Sequence, residues 1–179
     1  MEAIDALFEH QTTTIACDLK LNLSRLLEEG ALDPGEAALA LLALATSVES
    51  SSLTNLARTL LVSQPYSPEQ TQEAAESAAI MGMLNIYYRF RSMVKDGGAN
   101  SQAEEDYKSA GLRMTSLARP NLGKVQFEML AFAVSVLNGC QSCICSHEQV
   151  LKENRVTVEK IHDLAKLAAV VKGIKGLGV

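Results

Sequence analysis

Nine consecutive apolar residues, Ala37 to Ala45, follow directly on the tetrad Asp33-Pro34-Gly35-Glu36. The tetrad is a helix start. It puts an acid at the N-cap, proline at the first helical position where its missing N–H is not needed, and glutamate at the third. Ala and Leu, which make up the run, favour helix over any other state. A helix that is apolar on every side has to be surrounded, either by the rest of a protein or by lipid. A membrane span takes roughly 20 apolar residues. Nine are too few, so the segment predicts a helix at the centre of a helical domain, enclosed by its neighbours.

Two more starts fit the same scheme. Ser67-Pro68-Glu69-Gln70 precedes an Ala-rich run through Met83, and Thr157 with Glu159 stands ahead of IHDLAKLAAVVKGI. No strand is expected. Alternating patterns are short, and the one Asn-Gly pair, Asn138-Gly139, is flanked by helical text instead of β-branched runs. The reading is an all-α fold of about seven or eight helices, given a mean helix of about 11–12 residues. At 179 residues it suits a single helical domain over 1–179. Lys95 to Gln102, KDGGANSQ, reads as a loop between two halves. Those halves faintly resemble each other: AAIMGMLNIYYRF and FAVSVLNGCQSCI align around Leu84-Asn85 and Leu137-Asn138.

Composition removes several functions. The formal net charge is −5 and no Lys/Arg block occurs, so a phosphate-tracking surface for nucleic acid is not expected. With no Trp and 4% aromatic residues there is little from which to build stacking platforms. The first residues carry Glu2, Asp5 and Glu9 where a secretory leader would carry positive charge. A cytoplasmic protein, outside the membrane, is the expectation.

Three of the four cysteines, Cys140, Cys143 and Cys145, lie within six residues; the fourth is Cys17. Structural disulfides are spread out to close long loops, whereas clustered cysteines in a reducing compartment point to redox chemistry or metal binding. An apolar helix over Val125–Leu137 would stop at Asn138-Gly139, since glycine accepts the left-handed conformation after a helix. A second helix beginning at about Cys140 would hold Cys140 and Cys143 in its first turn, where free N–H groups and the positive dipole end favour a thiolate. Cys140, Cys143 and His147 are spaced i, i+3, i+7 and share one helical stripe, so the two sulfurs can bond. Imidazole changes charge near neutral pH, which suits His147 to accept or relay a thiol proton. Glu128 is the one charged side chain between Val125 and Cys143. If the two helices fold back on each other, its carboxylate could hold the His147 ring, as a third group orients a catalytic base.

Glu128, then Cys140-x-x-Cys143-x-x-x-His147, resembles the active-site pattern of the alkyl hydroperoxidase D-like branch of the carboxymuconolactone decarboxylase-like family. AAIMGMLNIYYRF, LRMTSLARPNLGKVQFEMLAFAVSVLNGC, LAAVVKGI and LKLNLS extend the resemblance over most of the chain, with its motif region in 120–179. The resemblance implies an all-helical fold with the active site between helices, and homo-trimers or homo-hexamers. It also implies an antioxidant peroxidase with disulfide reductase activity. Cys143 would attack peroxide and become a sulfenic acid, Cys140 would resolve it to a disulfide, and His147 and Glu128 would relay protons through a water. Electrons would come from a lipoylated protein or another dithiol donor, with a peroxiredoxin as possible client and no bound cofactor. One departure stands out. The best-known members of this branch carry a second His between the cysteines, where this chain has Ser142, whose hydroxyl is no base near pH 7.

Other readings stay open at this level. Cys140, Cys143, Cys145 and His147 reach the four ligands zinc needs. Cys145, however, lies about 200° around a helix from Cys143, so one helix cannot wrap all four around an ion, and no metal is expected. A decarboxylase-type lactone enzyme could use Glu128 and His147 in acid–base work, but has no evident task for a second cysteine. A helical assembly module without catalysis is the third option. Cys145 and Cys17 are expected to pack as small apolar residues in the core. His10 and His162 are expected at the surface or in helix packing, and Met81-Gly82-Met83 in the core, with a channel nearby. Long Ala/Leu helices with few aromatics suggest flat apolar faces that join copies of the chain.

Overall fold

The structure, a computed structural model, describes residues 2–97 and 105–179. Its α-helices are α1 (Glu2–Leu7), α2 (Thr14–Glu28), α3 (Pro34–Ser47), α4 (Ser51–Leu61), α5 (Pro68–Gly97), α6 (Lys124–Asn138), α7 (Gln141–Glu153) and α8 (Val158–Gly176), with a 3-10 turn at Thr115–Ala118 before α6. No strand occurs among the described residues. The fold is all-α, as the start signals and missing alternation predicted. No helix among the described residues is long and apolar enough to cross a membrane.

The expected starts are where the caps form. The Glu36 carboxylate accepts the Asp33 N–H at 2.9 Å, and the Ser67 N–H donates to the Gln70 side-chain oxygen at 3.0 Å. Thr157 Oγ1 accepts from the Lys160 N–H at 3.3 Å. Each bond satisfies a backbone group that the first turn leaves without a partner.

Helix α3 is the axle. Gly35 and every residue from Ala37 to Ala45 are buried, and α2, α4, α5, α6 and α8 pack around it. Alanines on all sides let the neighbouring backbones come close, while Leu39, Leu41, Leu42 and Leu44, all at 0% exposure, fill the gaps between them. This changes one expectation. The flat Ala/Leu face does not face outward to another copy, because five helices of the same chain use it. Among the described residues, exposed apolar side chains lie elsewhere: Ile15 and Leu21 on α2, Val62 after α4, Val158 at the start of α8, and a run of four on α5, Met83, Ile86, Phe90 and Met93.

Two polar ties close the bundle. Lys160 Nζ on α8 reaches Glu36 Oε2 at 2.7 Å and Asp33 Oδ2 at 3.0 Å, joining the first turns of α8 and α3. Burial works against the Lys160 ammonium, but the two carboxylates outweigh it and hold its pKa above the ordinary lysine value. Asp163 on α8 is buried; its carboxylate accepts the Ala31 N–H at 2.6 Å and pairs with Lys166. This fixes the α2–α3 connection against α8.

Two features depart from the sequence reading. Helix α5 runs past the Ala-rich part to Gly97, because Leu84 and Asn85 carry its buried face on beyond Met83. Of the expected loop 95–102, residues 95–97 therefore belong to the helix, and the rest lies outside the described residues. Cys17 is exposed, not buried. The inward stripe of α2 consists of Ala16, Leu23 and Leu26, and Cys17 stands about 100° off Ala16 on the helical wheel.

Candidate redox site

The site is built at the junction of α6 and α7. Helix α6 is buried from Phe127 to Ser135, apart from Glu128. It ends at Gly139, whose φ of 66° and ψ of 36° lie in the left-handed region. There a residue with a Cβ would be strained. The Gly139 N–H turns back to the Val136 carbonyl at 3.1 Å, and the Cys140 N–H to the Ser135 carbonyl at 3.1 Å. These bonds satisfy the last carbonyls of α6 and hand the chain to α7, with Cys140 as its extended N-cap residue.

Cys140 and Cys143 are joined by a disulfide, with Cα atoms 5.3 Å apart. Cys143 occupies the third helical position, toward which an N-cap side chain naturally points, so the spacing brings the sulfurs together without distorting the helix. Cys140 is 0% exposed and Cys143 6%. A residue at a helix start is ordinarily nearer to solvent than one further along the same inward stripe. The reverse holds, because the bond to the Ser135 carbonyl tucks Cys140 under the end of α6. Ser142 Oγ lies 3.6 Å from Cys140 Sγ.

Glu128 and His147 meet as expected from folding α7 back on α6. Glu128 Oε2 lies 2.6 Å from His147 Nδ1, and each side chain is 20% exposed. The other ring nitrogen is left for a partner outside this pair. His147 and Cys143 line the same cavity of about 410 Å³, together with Ser142 and Ser146 of α7, Met81, Leu84 and Tyr88 of α5, and Met114 and Leu117 of the 3-10 region. Five of these nine residues are apolar or aromatic, so a substrate with an apolar tail could be desolvated beside the sulfur. Of Met81-Gly82-Met83, expected in the core, only Met81 is buried, and it also forms part of the cavity wall; Gly82 is half-buried and Met83 exposed, since successive residues of α5 turn about 100° from the inward face. Two larger clefts, each about 530 Å³, have no cysteine in their walls.

Cys145 does not pack in the core; it is a free, exposed thiol. The stripe of α7 that faces the bundle holds Cys143, His147 and Leu151, and Cys145 falls on the opposite side. Among the described residues no three of His, Cys, Asp and Glu converge as metal ligands.

Sequence reasoning missed the support behind Cys140. Asn85 on α5 is 1% exposed; its Nδ2 donates to Ser135 Oγ at 2.9 Å and its Oδ1 accepts from Asn138 Nδ2 at 3.0 Å. Arg89 Nη1 donates to the Asn138 carbonyl at 2.9 Å. The one available signal was the repeated Leu-Asn pair, since Asn85 and Asn138 are the two asparagines that the faint internal match aligns.

A helix-borne, bonded Cys-x-x-Cys with a carboxylate–imidazole pair at an apolar cavity defines a dithiol redox protein on an all-α scaffold. Residues 108–177 match the carboxymuconolactone decarboxylase family, a span that contains all four site residues. The alkyl hydroperoxide reductase AhpD of Anaeromyxobacter dehalogenans strain 2CP-C is 40% identical over 172 residues, covering 96% of this chain and 88% of that protein. That of Gluconacetobacter diazotrophicus is 36% identical over 159 residues, covering 89% and 83%. The AhpD of Streptomyces coelicolor is 43% identical over 108 residues, covering 60% and 57%. The chain belongs to the AhpD-type alkyl hydroperoxide reductases of the carboxymuconolactone decarboxylase family.

Proposed function

We propose that this protein reduces organic hydroperoxides by cycling Cys140 and Cys143 between dithiol and disulfide. The observation that carries the reading is the bonded pair opening through Cys143 into an apolar cavity shared with His147, itself held by Glu128. The AhpD relatives, named as alkyl hydroperoxide reductases, support the same activity. A lactone decarboxylase has no use for a Cys140–Cys143 bond, so that alternative is set aside.

In the reduced protein, His147 takes the Cys143 proton and Glu128 steadies the imidazolium that forms. The Cys143 thiolate attacks the terminal oxygen of the hydroperoxide. An S–O bond forms, the O–O bond breaks, and the alkoxide leaves as an alcohol with the proton from His147. Cys140 then gives up its thiol proton and attacks the sulfenic sulfur: the S–S bond forms, the S–O bond breaks, and the leaving hydroxide takes up that proton and departs as water. A dithiol donor restores the pair by thiol–disulfide exchange. No cofactor enters this cycle. The donor is a lipoyl-bearing protein or another dithiol, a peroxiredoxin is a fitting client, and the setting is the cytoplasm. The exposed α5 stripe supports homo-trimers or homo-hexamers. Met83, Ile86, Phe90 and Met93 recur at i, i+3, i+7 and i+10, the spacing of a helix that packs on another helix.

The test is consumption of cumene hydroperoxide with dihydrolipoamide as reductant. Wild type should turn over. Cys143→Ser should be inactive, with no peroxide-dependent dimedone labelling of Cys140. Cys140→Ser should trap a sulfenic acid at Cys143 and turn over poorly. Labelling of Cys140 in Cys143→Ser at the wild-type rate would reverse the assignment.

A further inference from the structure

Beside the disulfide, outside the lining of the cavity, lies a run of polar groups that the proposed cycle does not use. Asn85, Ser135 and Cys140 are each at most 1% exposed. Asn85 bonds through both ends of its amide, to Ser135 Oγ and to Asn138 Nδ2. Ser135 in turn accepts the Cys140 N–H with its carbonyl, and Arg89 takes the Asn138 carbonyl. A buried amide with no partner costs about 1–3 kcal/mol, so Asn85 would be a poor choice at a helix interface that only had to pack. Each bond in the run ends on the three-residue turn Asn138-Gly139-Cys140 or on the residue whose carbonyl holds it. None reaches Cys143, which α7 positions by its own helical bonds.

We infer that Asn85, with Arg89 bonded to the same Asn138 through its carbonyl, is a positioning residue for Cys140: it holds the resolving sulfur within bonding reach of Cys143 and so governs disulfide closure without governing peroxide attack. The inference rests on the division of labour proposed above. Closure needs Cys140 Sγ brought onto a single sulfur, and a misplacement of about 1 Å costs on the order of 100-fold in such steps. With the turn held, Cys140 stays at the N-cap with its side chain toward the third helical position. Once the turn loosens, the Cys140 backbone can lift away from Ser135, and the sulfur samples positions from which Cys143 is out of reach. The same preorganisation enters the equilibrium, since a sulfur kept close favours the disulfide over the dithiol.

Asn85→Ala and Arg89→Met test this from two sides; Arg89 is partly exposed and tolerates loss more readily than the buried amide. Three quantities are read in each variant: the rate of dimedone-trappable sulfenic acid formation with one equivalent of cumene hydroperoxide, the rate of sulfenic acid loss to the Cys140–Cys143 disulfide, and the dithiol–disulfide equilibrium against dithiothreitol. The expected result is closure slowed on the order of 10- to 100-fold with attack unchanged, and an equilibrium shifted about tenfold toward the dithiol, a potential about 30 mV less negative. Attack and closure falling together, or all three unchanged in Arg89→Met, would overturn it. The equilibrium does not depend on which sulfur attacks. Labelling of Cys140 in Cys143→Ser with a shifted equilibrium in Arg89→Met would therefore reject the division of labour alone. If Asn85→Ala does not fold, the two rates and the equilibrium of Arg89→Met decide the matter by themselves.

Discussion

Glu128 Oε2 and His147 Nδ1 are 2.6 Å apart across the α6–α7 junction, although 19 residues separate them in the chain. The contact fixes the ring so that its remaining nitrogen is available to the cavity that Cys143 shares. His147→Ala should slow sulfenic acid formation on the order of 10²–10⁴-fold, the usual worth of a positioned base. Glu128→Gln keeps a hydrogen-bond acceptor but removes the charge, and should slow the step less. Neither should prevent a Cys140–Cys143 disulfide driven by a chemical oxidant. Stopped-flow thiol oxidation with stoichiometric peroxide separates the two variants.

The two free thiols lie outside the cycle. Cys17 and Cys145 are exposed, whereas Cys140 and Cys143 are bonded. Iodoacetamide on the oxidised native protein should therefore alkylate Cys17 and Cys145 only, as read by peptide mass mapping. After reduction Cys143 should join them ahead of Cys140, which is the more deeply buried sulfur. Cys145→Ser should retain the wild-type peroxidase rate.

The stripe on α5 should hold copies of the chain together. Ile86 is 64% and Met93 64% exposed on one helical face, apolar area that water disfavours by roughly 25 cal/mol per Å². Ile86→Lys combined with Met93→Glu should lower the mass seen by light scattering toward that of one chain, with the far-UV circular dichroism of a helical protein retained. A single-chain mass for the wild type at micromolar concentration would refute the assembly.

Asp163 gives the bundle a pH-dependent tie. Burial alone would raise its carboxyl pKa, but the Lys166 ammonium and the Ala31 N–H outweigh burial and hold it below the ordinary 3.8. A carboxyl depressed in the folded state contributes stability above its unfolded pKa and loses it as pH falls through the folded one. Asp163→Asn should therefore cost about 1–3 kcal/mol at pH 7, a melting temperature lower by about 2–4 °C for each kcal/mol. The gap to wild type should narrow once the pH drops below 3.8. Lys160 acts at the other end of the scale. Its raised pKa means that its contribution is present at neutral pH and fades only as pH climbs beyond the ordinary lysine range.

Local signals in the sequence determined whatever depends on neighbours along the chain. The Asp33–Glu36 and Ser67–Gln70 caps, the stop at Gly139 and the shared stripe of Cys140, Cys143 and His147 all follow from helical geometry over a turn or two, and the structure keeps them. Even Glu128 was legible, because a lone charge in an apolar helix needs a partner and the fold-back at Asn138-Gly139 supplies one. Packing between distant segments decided the rest. Whether Cys17 and Cys145 face in or out depends on which stripe of α2 and α7 meets the bundle, and a free cysteine fits either side. Cys140 ended up deeper than Cys143 because the Ser135 carbonyl holds its N–H, a contact that only the α6–α7 turn creates. Asn85 carries no local mark of its task at all: an asparagine in the middle of a helix reads as an exposed residue, and it became a buried one when α5 crossed the end of α6.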